Sequence, residues 1–168
     1  ADADSELDGR AGPRRLDAES VRDTLLALGG QLEREPMRGS EMAKIGYAQI
    51  DPGIADRIYG SKQKRHRSVY LAVMRTQDTD DLLSVFDFPD PSLPIGRREV
   101  TTVPLQSLYM MNSASAVDAA VGLAKRVTEQ TQDPAARVHA VYQRVLARPP
   151  SAEEAQLGQR FVERAGGD

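Results

Sequence analysis

Behind Asp133-Pro134, the residues Val138, Val141, Tyr142, Val145 and Leu146 fall at i, i+3, i+4, i+7 and i+8. That spacing puts these apolar side chains on one face of a helix. Arg148-Pro149-Pro150 ends it, because a proline ring removes a backbone donor and clashes with the preceding turn. Ser151 and Glu154 then form an S-x-x-E capping box for a last helix carrying Leu157, Phe161 and Val162. Upstream, Val117, Ala120, Val121, Ala124 and Val127 repeat at helical spacing too. Amphipathic helices with links this short predict antiparallel packing.

The earlier part of the chain is more broken. Asp17 is placed to cap a helix with Ala18, Val21, Leu25 and Leu28 on one face, stopped by Gly29-Gly30. Residues 31–43 have no period and read as loop. Residues 44–50 read as a short strand, and 52–60 as a turn or two of helix between Pro52 and Gly60. Val69, Leu71 and Val73 alternate with Tyr70, Ala72 and Met74, which predicts an extended segment buried on both faces and paired with 44–50. Thr79 caps a helix with Asp80 and Asp81 in its first turn and Leu82, Leu83, Val85 and Phe86 behind them. Pro89, Pro91 and Pro94 forbid a regular element after it. Pro104 opens a short helix through Leu105, Leu108 and Tyr109, with Thr102 or Val103 as its cap.

The expected fold is therefore mainly α: an antiparallel helical bundle with long proline-rich connections and at most a small two-stranded sheet. Residues 1–14, with Asp2, Asp4, Glu6 and Asp8 among small residues, are expected to be disordered or loosely packed. Residues 15–165 then make a single helical domain. The chain opens without methionine, and its first residues have neither the basic start nor the apolar stretch of a signal peptide. The expectation is a mature product or, preferred, a fragment of a larger domain.

Composition narrows the chemistry. With 22 Lys+Arg against 25 Asp+Glu the net charge is -3, so no whole-chain attraction to nucleic acid is implied. The absence of cysteine excludes disulfides, thiol catalysis, CxxCH haem attachment and cysteine-based zinc sites. No apolar run approaches the ~20 residues of a membrane span. His66 and His139 are far apart, and a zinc site wants three or four clustered ligands, so no metal is expected. Asp78, Asp80 and Asp81 suggest a calcium loop, but Leu83 and Pro89 stand where the EF-hand needs glycine and glutamate. They read instead as a charge-complemented helix start. There is no GxSxG, GxxxxGK[ST] or GxGxxG, and no cofactor is expected. The basic run at 62–67 lacks the interleaved aromatics of a single-strand binder.

The stretch GRREVTTVPLQSLYMMN, residues 96–112, is the candidate site. Arg97, Arg98, Thr101 and Thr102 precede a helix start, and all could donate to an anion: a carboxylate, a sulfate or a phosphate. The anion could equally be internal. Asp87 and Asp90, flanking Pro89 upstream in the same loop system, are the candidates, and an Arg–Asp clamp needs nothing outside the chain. The same two are the pair to inspect for carboxylate catalysis. Gln106 and Asn112 suit the duty of satisfying backbone groups where prolines have removed regular partners.

The blocks RRLDAESVRDTLLALGG, RSVYLAVMR, VFDFPDP, GRREVTTVPLQSLYMMNS and VYQRVLARPPSAEE, in this order, resemble the C-terminal part of the PSD-one domain of unknown function. That domain ends large exported planctomycete proteins, many with a cytochrome-c-like domain ahead of it. The resemblance spans residues 14–165 and brings no activity that transfers to a residue. It implies an exported, multidomain, cell-envelope setting, with other domains of the parent polypeptide or a partner protein as what the chain packs against. The leading reading is a non-catalytic structural or interaction module. The alternative is a region binding an anion or sulfated carbohydrate, with or without catalysis, around Arg97 and Arg98. A remote third, an accessory to electron transfer, rests only on the family's cytochrome-like companions.

Overall fold

The computed structural model describes residues 14–40, 65–71, 73 and 81–165. Six α-helices carry the described fold: α1 Ala18–Leu28, α2 Asp81–Val85, α3 Pro104–Asn112, α4 Ala114–Gln130, α5 Pro134–Leu146 and α6 Ala152–Arg164. A 3₁₀ turn, Ser68–Tyr70, lies against α1. Among the described residues the β-structure is one isolated parallel bridge, Glu33 to His66. The chain is mainly helical, as its periodicity predicts.

Most helix ends follow from the local sequence. Asp17 accepts the Ser20 N–H at 2.8 Å and caps α1. Beyond Gly29 the chain turns through Gly30 at φ 74, a left-handed conformation that glycine adopts without a Cβ penalty. Arg126 reaches from α4 to the Ala27 and Leu28 carbonyls at the end of α1. Asp133 caps α5 with Pro134 in its first turn. Ser151 and Glu154 form the reciprocal box of α6, and Arg148 pairs with Glu154 through two hydrogen bonds of 2.7 and 2.8 Å. The Arg148 bond and the Ser151 N–H hold the Glu154 carboxyl down at about 2. For α3 the cap residue is Val103, whose N–H donates to Gln106 Oε1.

Ala147 ends α5 in the left-handed region, at φ 54. An L-residue pays for its Cβ there, whereas glycine does not. Ala147→Gly should raise stability by about 0.5–1 kcal/mol, or about 1–4 °C in melting temperature, as calorimetry would show.

The main core gathers Ala18 and Leu25 of α1, Leu82 and Leu83 of α2, Phe86 just after α2, and Ala119 of α4. Tyr109 of α3 meets the Phe86 ring edge-on at 6.2 Å. α1 crosses α4 so closely that a Cβ on Gly122 would stand 2.9 Å from Gly29 Cα. α5 and α6 pair as a hairpin, with Gly158 against Val138.

Several predicted faces are placed differently. α4 turns Ala116, Ala119, Leu123 and Val127 inward. Of the predicted stripe Val117, Ala120, Val121, Ala124 and Val127, only Val127 is buried. The helix is apolar over more than one face, and α1 fits the side where small residues allow close approach. In the hairpin only Val138 is buried, while Val145, Leu146, Leu157 and Phe161 stay exposed because no described element packs over them. The expected doubly buried segment at 69–73 is also corrected. Ser68–Tyr70 is a 3₁₀ turn, with Val69 72% and Val73 47% exposed. Its proposed pairing partner at 44–50 lies outside the described residues. So do the helical turns at 52–60, the Thr79 cap with Asp78 and Asp80, and residues 1–13 of the N-terminal segment.

Candidate functional site

The polar joint is built around Asp87, which follows the last turn of α2 at φ 64. Aspartate tolerates this left-handed conformation better than most residues. It turns the carboxylate toward the chain that enters α3. The Thr101 N–H donates to Oδ2 and the Thr101 hydroxyl to Oδ1, both at 2.8 Å. Arg15, just ahead of α1, donates to Oδ2 at 2.8 Å, and its guanidinium lies 5.5 Å from the Phe86 ring centroid. Burial pushes the Asp87 carboxyl up, but the two Thr101 bonds and the Arg15 charge together outweigh it. The net shift is downward.

Gln106 completes the joint. It is buried on the first turn of α3, and its Nε2 donates to the Val85 carbonyl at 3.1 Å and to Thr101 Oγ1 at 3.3 Å. Its Oε1 takes the Val103 N–H. One side chain thus serves the end of α2, the loop and the start of α3, where prolines supply no regular partners.

Arg98 sits beside this joint. It grips Glu19 of α1 with two hydrogen bonds of 2.8 and 2.9 Å, and its guanidinium lies 5.9 Å from the Phe88 ring centroid. The Glu19 bonds raise the Arg98 pKa above its ordinary value, with a further contribution from Asp17. The sequence pairs Arg97 and Arg98 with Asp87 or Asp90. The structure instead gives Asp87 to Arg15 and Arg98 to Glu19, because the start of α1 lies against this loop.

The other candidates lie outside the joint. Asp90 accepts the Ser92 N–H at 2.8 Å in an exposed turn, and Asn112 donates to the Leu108 carbonyl at the end of α3. Arg97 and Thr102 are exposed, with no hydrogen bond or ion pair among the described residues. Arg15 and Glu19 are the members that local reasoning misses. They stand 72 and 79 residues from their partners, and the sequence signals neither pairing.

A second polar node ties 65–71 to α1. Buried Arg22 donates to the His66 carbonyl and to Ser68 Oγ, while Asp23 accepts both the N–H and the hydroxyl of Ser68. His66 Nδ1 lies 3.2 Å from Glu33 Oε2, and Arg67 Nε lies 3.6 Å from Asp23 Oδ2. The described end of the basic run is thus drawn onto α1 and the 31–34 loop. Among the described residues no cluster of three His, Cys, Asp or Glu could hold a metal ion, and no helix is long and apolar enough to cross a membrane.

A family model for a protein of unknown function (DUF1553), designated PSD1, matches residues 1–162. The chain belongs to the PSD1 family. No curated protein and no solved structure matches it. The VFDFPDP and GRREVTTVPLQS blocks of this PSD1 chain supply Asp87, Thr101 and Gln106, the core of the joint just described.

Proposed function

We propose that this PSD1 chain is a non-catalytic structural and interaction module of a larger exported protein, acting through apolar helix faces. The observation that carries this reading is the internal satisfaction of the candidate site. Asp87 already accepts from Thr101 and Arg15, and both outer nitrogens of Arg98 are engaged by Glu19. Apolar surface, by contrast, stands open: Leu105, Leu108 and Met111 on α3, and Leu157 and Phe161 on α6, are all exposed. The exported, multidomain setting is supported by the family resemblance.

One observation favours a second reading, in which the loop binds an anion such as a sulfated glycan. Arg97 is exposed and unpaired among the described residues, next to Arg98 and in the same loop as Thr102. Thermal melts with sulfate, phosphate, carboxylates and sulfated glycans separate the two. The module reading expects indifference to every anion. It also expects Arg98→Ala to lower the melting temperature by about 1–4 °C, the scale of a half-exposed ion pair at this chain length. An anion that raises the melt by about 5–10 °C, an effect lost in Arg97→Ala, would establish the binding reading instead.

A further inference from the structure

The loop between α2 and α3 is pinned at both ends and open in between. At its base Asp87 accepts from the Thr101 N–H and hydroxyl, and the Leu93 N–H donates to the Asp90 carbonyl to close a turn. Arg98 is held by Glu19 beside the Phe88 ring. Residues 92–100 are all exposed and carry neither helix nor strand. Across residues 94–97 no backbone group makes a hydrogen bond among the described residues. A Cβ added to Gly96 would meet nothing within 4 Å, so the chain there runs through open space. Arg97 follows directly, with its side chain exposed and unpaired among the described residues.

We propose that the Arg97–Arg98 peptide bond is a processing site, cut in the folded chain by a serine endopeptidase whose primary pocket takes arginine. Such an enzyme pairs with free backbone N–H and C=O groups of an extended substrate and seats the residue before the cut on a carboxylate in its pocket. Ile95, Gly96 and Arg97 offer both, an unbonded backbone and a free guanidinium, at an exposed loop where nicking is favoured. Other exposed arginines in described loops are less open to this chemistry. The Arg65 carbonyl is tied to the Glu33 N–H, Arg38 precedes Gly39 at φ 85, and Arg148 precedes a proline. Hydrolysis adds one water across the bond: its hydroxyl goes to the Arg97 carbonyl carbon and a proton to the Arg98 nitrogen, leaving a carboxylate and an ammonium. The bonds of Thr101 to Asp87, Gln106 to Val85 and Arg98 to Glu19 all straddle the cut, so the two pieces stay joined. The inference rests on the loop alone and stands apart from the module reading.

Limited digestion of the full chain with trypsin tests it, the rate at each bond being read by mass spectrometry and compared with a synthetic peptide of residues 91–103. The bond after Arg97 should be cut in the folded chain within about tenfold of its rate in the peptide, because no opening of the fold has to come first. The bond after Arg98 should be protected more strongly, since that side chain must first leave Glu19. Arg97→Gln, which breaks no described contact, should abolish the cut between 97 and 98. The piece ending at Arg97 and the piece starting at Arg98 should leave a gel-filtration column together until denaturant is added. Protection of the Arg97–Arg98 bond beyond about tenfold overturns the proposal. Equal protection of the two bonds, a cut that persists in Arg97→Gln, or pieces that separate without denaturant overturns it too.

Discussion

Asp87→Ala should lower the stability of this chain by about 2–4 kcal/mol, the cost of stranding a part-buried guanidinium and a backbone N–H at once. Three donors lose their acceptor: the Arg15 guanidinium, the Thr101 hydroxyl and the Thr101 N–H. Alanine also tolerates the left-handed backbone at 87 less well than aspartate. At this chain length the melting temperature should fall by about 4–16 °C. Asp87→Asn keeps an acceptor for Thr101 and suits the same backbone, so its loss should be about half as large. Equal losses in the two variants would mean that the charge on Arg15, not the Thr101 geometry, carries the joint.

The same residue sets an acid response. Its folded carboxyl titrates below the ordinary 3.8, so its stabilisation is fully present above that value and is lost as pH falls through the folded pKa. Between pH 5 and the acid limit, about 2–5 on the pH scale, the wild type should therefore lose stability more steeply than Asp87→Asn. Parallel curves from urea melts would assign the acid response to other carboxylates, such as the Asp17 cap, which is held low by its Ser20 bonds.

Gly122→Ala should destabilise the chain by about 1–3 kcal/mol, against the sign expected from helix propensity. In an ordinary helix interior, exchanging glycine for alanine gains about 1 kcal/mol. Here the new methyl would meet the Gly29 backbone, with Cα at 2.9 Å and the carbonyl carbon at 3.0 Å, and backbone cannot rotate aside as a side chain can. α1 would have to lift from α4, loosening Ala18 and Leu25 against Ala119 and straining the Arg126 bonds to the end of α1. Gly158→Ala is the internal comparison. Its methyl meets Val138 Cγ1 at 2.8 Å, a side-chain tip that can turn away, so calorimetry should show the smaller loss there. A neutral or stabilising Gly122→Ala would mean that the crossing is looser than described.

The two nodes on α1 differ in how far local reasoning reaches them. Asp87, Thr101 and Gln106 lie within twenty residues, among prolines that remove backbone partners, so a need for side-chain acceptors and donors there is legible. Arg15 and Glu19 are not, because the chain offers 22 basic and 25 acidic residues and no local rule selects one distant pair. The Arg22–Ser68–Asp23 node is hidden for the same reason. Arg22 occupies an apolar helix face, and its burial goes with the approach of Ser68 and the His66 carbonyl.

By itself the sequence determined where helices start and stop. Asp17, Ser113, Asp133 and Ser151 each bond an N–H within three residues, and Gly30 supplies the left-handed turn after α1. Those interactions close inside one turn of chain, so their energy does not depend on the rest of the fold. Only the tertiary structure decided which stripe of α4 meets the core, because a helix apolar on two stripes satisfies the same period with either. α1 settled it: the close crossing needs Ala119 and Gly122 at the contact, and that rotation leaves Val117 and Val121 facing outward.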